Sequence, residues 1–364
     1  MIPRRFITSL GRHLRAHVRF KVRALRALRV SQIHRKTERT YNQKSKIVLI
    51  GVTDNASGLA RAYRYEAQRI SHEERSRKTS FPDQTFLLLG QPRSYKRLLA
   101  SAPEGFRDGY RIGLWATEFE TMPPDWRFAF DVVHEIWTPS EFCAKAIRAA
   151  TDLPVKIVPH AVSIPDVAAM DRNRFKIGSD QFLGLAIMDL RNCPDRKNPV
   201  AHVRAWKMAF GGDPSAHLLM KVRFSPRTQF MKQELLKAIE GTQNISLTEI
   251  VLSDLEITAF QKMADVFLSL HRSEGYGLNI REMLEIGIPT LATGWSGNVD
   301  FMPLYPNAIS IPYELVPYQD RTFHYEGDKL RWAEADVARA AMDLKDIRQK
   351  WQDARRATPL ILAS

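Results

Sequence analysis

The stretch HRSEGYGLNIREMLEIGIPTLATG, residues 271–294, decides the fold. It takes over from the apolar run ADVFLSLH (264–271), opens as a polar turn with two glycines, becomes helical near Leu278 and ends in a second apolar run, IPTLATG. Strand, turn, helix and strand in that order make one unit of a parallel α/β sheet. Gly275 and Gly277 let the chain reverse sharply and bring bare backbone close to a ligand. A helix starting at Leu278 aims its unpaired N–H groups and positive dipole end at the same place, a ready phosphate site. Glu274 stands ahead of that helix end and Glu282 one turn inside it.

The same alternation runs through most of the chain. KIVLIGV (46–52), QTFLLLG (84–90), YRIGLWATE (110–118), HEIWTPS (134–140) and VKIVPHAV (155–162) are short buried-strand runs separated by helical stretches. A more polar segment, 163–180, follows, and alternation resumes with QFLGLAIMD (181–189), AHLLMKVRF (216–224), ADVFLSLH, IPTLATG and AISIPY (308–313). The tail, 331–356, reads as helix. Two doubly wound parallel-sheet domains are expected, at 46–170 and 171–340, with a final helix over 341–364. Ligands of such sheets bind outside the carboxyl ends of strands, so the cleft between two of them is where a site is expected.

At 364 residues the chain is long enough for two domains. Its 44% apolar and 26% charged content is that of a globular protein, and no apolar run approaches the ~20 residues of a membrane span. Two distant cysteines, Cys143 and Cys193, make neither a disulfide framework nor a metal-ligand spacing, which points to a reducing compartment. The net charge of +14 is unevenly placed: residues 1–46 hold 14 Lys/Arg against one acid, the rest 40 against 39. A neutral body without an RNA-binding signature argues against a nucleic-acid-binding protein, the rival reading that the basic segment raises. In residues 1–45, Ile7, Leu10, Leu14, Val18, Val22, Leu25 and Leu28 share one helical face among arginines. That basic amphipathic helix suits an anionic membrane surface, with a docked or disordered extension, a transit peptide and RNA binding as competing readings.

Carboxylates on both sides of a phosphate-binding helix end fit a ligand with a pyrophosphate centre and hydroxylated rings at each end: a nucleotide-sugar. On spacing alone, a solvent-facing Glu282 and a turn serving only chain reversal is the simpler reading. The wider context, HRSEGYGLNIREMLEIGIPTLATGWSGNVDFM (271–302), resembles the donor-binding segment of retaining family-4 glycosyltransferases of the GT-B fold, in which two Rossmann-like domains face across a cleft. The resemblance implies that Glu274 contacts the transferred sugar, Glu282 the nucleotide ribose, and Gly275, Tyr276, Gly277 and Leu278 the donor around the helix start. MDLRNCPDRKNP (188–199) is similar to that family's diphosphate-holding loop, with Lys197 and Arg191 as its cations; a basic surface loop is the competing reading, stronger for Arg196. VLSDLE (251–256) lies where the base-contacting loop is expected.

The likeness is weaker in the first domain. DNASGLARAYRYEA (54–67) is similar to the family's glycine-rich loop, which places Gly58 at a helix start beside phosphate or acceptor. GLWATEFETMPPDWRFAFDVVHEIWTPSEF (113–142) resembles a pattern of bacterial polysaccharide glycosyltransferases and turns Glu118 to the cleft. VPHAVSIP (158–165) puts His160 near the hinge, with donor contact and a purely structural hydrogen bond equally open. The final helix is similar to the GT-B segment that crosses back to the first domain. The resemblance implies transfer of a hexose from a nucleotide-diphosphate sugar to a glycan or lipid-linked glycan acceptor, in cell-surface polysaccharide or lipopolysaccharide synthesis. It implies no metal and no other cofactor, while the basic segment 1–45 adds the expectation of a cytoplasmic place at the inner face of the plasma membrane. A nucleotide-sugar epimerase or hydrolase-like relative is the alternative within the fold.

Overall fold

A computed structural model describes residues 46–51, 58–74, 84–100, 102–103, 105–322 and 330–361. The basic segment 1–45 expected to form an amphipathic helix, and residues 52–57 of the loop ahead of Gly58, lie outside the described residues.

The first half contains β1 (Lys46–Gly51), α1 (Gly58–Glu74), β2 (Gln84–Leu89), α2 (Tyr95–Ala100), β3 (Tyr110–Leu114), β4 (Glu135–Thr138), α3 (Glu141–Arg148) and β5 (Val155–Ile157). Its central strands are buried rather than alternating, as a sheet covered on both faces requires; β3 and β4 are buried at every position, Arg111 and Glu135 included, whereas the edge strand β5 is largely exposed. They form a parallel five-stranded sheet in chain order, β1-β2-β3-β4-β5. Trp126, Trp115 and Phe86 pack its core.

The second half contains β6 (Phe182–Asp189), α4 (Pro194–Lys197), α5 (Pro199–Phe210), β7 (Ala216–Arg223), α6 (Gln229–Ile239), β8 (Ile245–Thr248), α7 (Asp254–Lys262), β9 (Val266–Ser269), α8 (Leu278–Ile286), β10 (Thr290–Thr293) and β11 (Ala308–Ile311). Its parallel sheet has the order β11-β10-β9-β6-β7-β8. Numbered from its own first strand, that is the doubly wound order 3-2-1-4-5-6, whose direction reverses between β6 and β9. The expected reversal is thus present in the second sheet, whereas the first shows none among the described residues. A ligand site is expected at the reversal, and the loops leaving β6 and β9 are those carrying Arg191, Lys197 and Glu274.

Two expectations for the tail change. Residues 331–335, read as helix, form β13 (Arg331–Ala335), which pairs antiparallel with β12 (Tyr313–Pro317). Ala, Glu and Arg are good helix formers, but cross-strand pairing and burial of Trp332 override that local preference. The final helix, α9 (Val337–Ile361), read as crossing back to the first domain, packs on the second: Ala340, Leu344 and Ile347 enter its core and Trp351 meets Phe182 edge-on.

Candidate functional site

The quoted turn is clasped from both sides. Gly277, at φ +89°, caps α8 in a conformation that an L side chain adopts only at a cost. A Cβ at Gly275 would stand 3.0 Å from Ala116 Cβ and 3.1 Å from the Thr117 carbonyl of the first domain. The Gly275 carbonyl accepts from Ser140 Oγ at 2.7 Å and from Cys143 Sγ at 3.1 Å. Behind it, a Cβ on Gly297 would lie 2.1 Å from the Gly275 oxygen. The Glu274 N–H donates to Ser296 Oγ at 2.8 Å, and its carbonyl accepts from the Gly297 N–H at 2.9 Å. Glycine is therefore required for contact between two turns and two domains, as well as for exposing backbone.

Beside this turn stands α4. It is flanked by Cys193 and Asn198, both left-handed, so the loop from β6 folds back and delivers Arg196 and Lys197 to the carboxyl end of β9. Arg272 donates from its backbone to the Arg196 carbonyl (2.8 Å) and from its guanidinium to the Asp195 carbonyl (2.8 Å). Arg321 grips the Asp195 carboxylate at 2.6 Å. Buried His202 accepts the Leu270 N–H at Nε2 (2.9 Å) and faces the Asn198 carbonyl with Nδ1 (2.9 Å), which makes it neutral with its proton on Nδ1. Burial pushes its pKa down to about 4. The β12–β13 ribbon completes the support: Arg272 lies 5.2 Å over Trp332 and pairs with Glu334, while Phe119 of the first domain packs with Trp332 and Cys193.

Lys197 and Glu274 meet directly, Nζ to Oε1. Arg196 lies 3.3 Å from the other Glu274 oxygen, 3.6 Å from Glu118, and donates to the Ser273 carbonyl at 2.7 Å. Burial opposes ionisation of Glu274, but Lys197 and Arg196 outweigh it and hold the carboxyl at about 2. The surface-loop reading of Arg196 is therefore corrected: its side chain is only 12% exposed and belongs to this cluster. Arg191 lies nearby and forms a fork with Asp189, Nε to Oδ1 at 2.9 Å and Nη2 to Oδ2 at 2.5 Å.

These groups border a cavity of about 530 Å³ between the domains. Its walls include Arg191, Lys197, Glu274, Gly275, Tyr276, Gly277 and Leu278 from the second domain and Glu118 and His160 from the first. His160 packs edge-on to Tyr276 at 5.0 Å and stands 3.6 Å from buried Glu66. Gly58 opens α1.

Glu282 is placed differently. It is 1% exposed and is not among the cavity-lining residues. Arg61 of α1 donates from Nε to Oε1 (2.6 Å) and from Nη2 to Oε2 (2.8 Å); Tyr65 Oη (3.0 Å) and Gln261 Nε2 (2.7 Å) add two more bonds. Arg61 itself lines the cavity and also reaches Asn279 at 2.7 Å. Neither Arg61 nor Arg196 was named for the site from sequence. The basic RAYRYEA face following Gly58 was the available signal for Arg61, but nothing local gives its partner.

No protein-family model matches the chain, and no curated protein matches its sequence. Among solved structures, the pneumococcal O-GlcNAc transferase GtfA in complex with UDP and GlcNAc is similar over 81% of this chain and 53% of its own, at 13% identity and a TM-score of 0.51. Anabaena HepE in complex with UDP and glucose is similar over 68% of each chain, at 12% identity and a TM-score of 0.47. The chain spans about half the length of GtfA. At these identities the likeness is one of architecture: the chain has the GT-B fold, two Rossmann-like parallel-sheet domains facing across a cleft.

Proposed function

We propose that the chain is a retaining glycosyltransferase that moves a hexose from a nucleotide-diphosphate sugar to a hydroxyl of a glycan or lipid-linked glycan, in cell-surface polysaccharide or lipopolysaccharide synthesis. The observation that carries this reading is the Lys197–Glu274–Arg196 cluster beside the N-terminus of α8, at the strand-order reversal and on the wall of an interdomain cavity. Donor phosphates find N–H groups at Gly277 and Leu278 and the cations Lys197 and Arg191. Glu274, ionised at any physiological pH, accepts hydrogen bonds from sugar hydroxyls. The first domain supplies Glu118 and His160 to the acceptor side.

In the reaction, the bond from the anomeric carbon to the diphosphate oxygen breaks. A bond from that carbon to the acceptor oxygen forms on the same face, and the acceptor proton passes to the departing diphosphate. Lys197, Arg191 and the helix end take up the charge that grows on the leaving group. The reading assigns this counter-charge to protein groups, with no metal or other cofactor. Lys197 is held by Glu274 before the donor arrives, so donor binding exchanges one anion partner for another. The UDP and sugar bound by GtfA, which shares the fold, are in keeping with a nucleotide-sugar donor. Residues 1–45 would hold the enzyme at an anionic inner-membrane surface beside a lipid-linked acceptor; among the described residues, no helix is long and apolar enough to cross a membrane.

A thermal-shift screen of nucleotide-sugars tests the donor assignment, because a ligand bound by the native state raises Tm by mass action. A shift with one donor, abolished in Lys197→Ala, is expected; no shift with any donor would refute it. Product analysis separates transfer from the epimerase and hydrolase alternative: a glycoside supports transfer, an isomer or free sugar the alternative.

A further inference from the structure

One cation in the cavity wall has no task in that account. Lys221 lies on β7, one strand further from Glu274 than the β6 loop that carries Lys197. It is 9% exposed, and its side-chain ammonium has no hydrogen-bond or salt-bridge partner among the described residues. A buried ammonium without a partner is costly, and proteins keep such groups where they serve a ligand. Burial, then the nearby cations Arg223 and Arg61, push its pKa down to about 8. At neutral pH it remains an ammonium, carrying donors only.

Its position along the sheet says which part of a donor it meets. From β9 through β6 to β7 and β8, the strand ends present Glu274, then Lys197 and Arg191, then Lys221, and then Val251 and Leu252. A sugar at Glu274 and a diphosphate at Lys197 leave the nucleoside at the β7–β8 end. There apolar side chains enter the wall: Ile187 stands in register beside Lys221 on β6, and Val251, Leu252 and Ile257 line the same cavity, together with the charged Arg64, Asp254 and Arg223. An apolar patch beside a buried donor-only group suits a flat heterocycle that offers an acceptor at its edge.

We propose that Lys221 reads the edge of the donor's nucleobase and selects keto bases, uracil or guanine, over the amino bases cytosine and adenine. Uracil O4 and guanine O6 accept a hydrogen bond from the ammonium. Cytosine N4 and adenine N6 present N–H groups at the same edge and meet donor with donor. This inference rests on the nucleotide-sugar reading above, and its test separates the two.

The experiment is calorimetric titration of the full chain with UDP, GDP, CDP and ADP, for wild type and Lys221→Met. The wild type is expected to bind UDP or GDP about tenfold to a hundredfold more tightly than the matching amino-base nucleotide, CDP or ADP, the range of one hydrogen bond to a charged group. Lys221→Met is expected to erase that ratio by weakening the keto nucleotide alone, with Tm unchanged or raised. Should the Met variant fail to fold, Lys221→Gln, which offers a donor and an acceptor, is expected to bring the ratio near one. Equal wild-type affinities for keto and amino partners, or equal weakening of all four nucleotides in the variant, would overturn the base-reading role and make Lys221 a phosphate contact. Failure of every nucleotide to bind would overturn the nucleotide-sugar reading itself.

Discussion

The two glutamates of the opening stretch, eight residues apart on one turn and helix, lie in different regions with different chemistry. Glu274 borders the cavity and shares its charge with Lys197 and Arg196. Glu282 lies in the seam between the domains, closed off by four donors from Arg61, Tyr65 and Gln261. The seam continues through Arg64, whose guanidinium meets the Asp254 carboxylate at 2.5 Å. The difference teaches that the same residue type at motif spacing faces a cavity in an ion-pair cluster at one position and joins the two domains at the other. In this conformation Arg61 occupies the carboxylate that the family resemblance assigns to the ribose.

The comparison breaks most readily at the seam. Glu282→Ala leaves the Arg61 guanidinium buried without its partner and is expected to cost about 3–5 kcal/mol of stability, read by denaturant unfolding. Glu282→Gln, which keeps the shape and some of the hydrogen bonds, is expected to cost less. If Gln leaves stability intact but abolishes donor affinity, Glu282 is a ligand group and the contrast with Glu274 disappears.

At the cavity the loss should fall on turnover. Lys197→Ala and Glu274→Ala are expected to lower the rate of nucleoside diphosphate release about 10²–10³-fold, the scale of removing one charge-stabilising group. Their circular dichroism should remain that of the wild type. Near-normal rates in both would remove the site from the cavity.

Acid sharpens the same contrast. The folded pKa of Glu274, about 2, lies below its ordinary value, so the unfolded state takes up the proton first. The stabilisation is therefore complete above the unfolded pKa and is lost as pH falls from there through about 2. At ~1.4 kcal/mol per pKa unit it amounts to about 3 kcal/mol. The stability gap between wild type and Glu274→Gln, followed from pH 6 to pH 2, should narrow across that window; a gap independent of pH would mean that the ion pair contributes nothing.

The smallest effect is expected at the turn. Gly277→Ala forces an L residue into φ +89° and should cost about 1–2 kcal/mol in thermal unfolding. A neutral result would mean that the turn can relax without its glycine.

What the sequence disclosed follows from how local each signal is. The strand, glycine turn and start of α8 at Leu278 depend on periodicity and backbone freedom, which a short window contains. Lys197 and Glu274, 77 positions apart, each follow a strand's carboxyl end, but it is the family resemblance and not their spacing that singles them out. Arg61 and Glu282 are 221 positions apart, and their pairing depends on how two domains dock, which no local pattern encodes. Arg196 looked like a surface residue because the left-handed turns at Cys193 and Asn198 that fold it inward have no glycine to announce them. RWAEA reads as helix until Tyr313–Pro317 pairs with it.

The most direct test of the central claim is release of nucleoside diphosphate from a panel of nucleotide-sugars, each with a glycan or lipid-linked acceptor, by wild type and Lys197→Ala side by side. Acceptor-dependent release from one donor by the wild type, reduced at least a hundredfold in the variant, is the predicted result. Release that is equal in the two proteins, or absent with every donor, would contradict it.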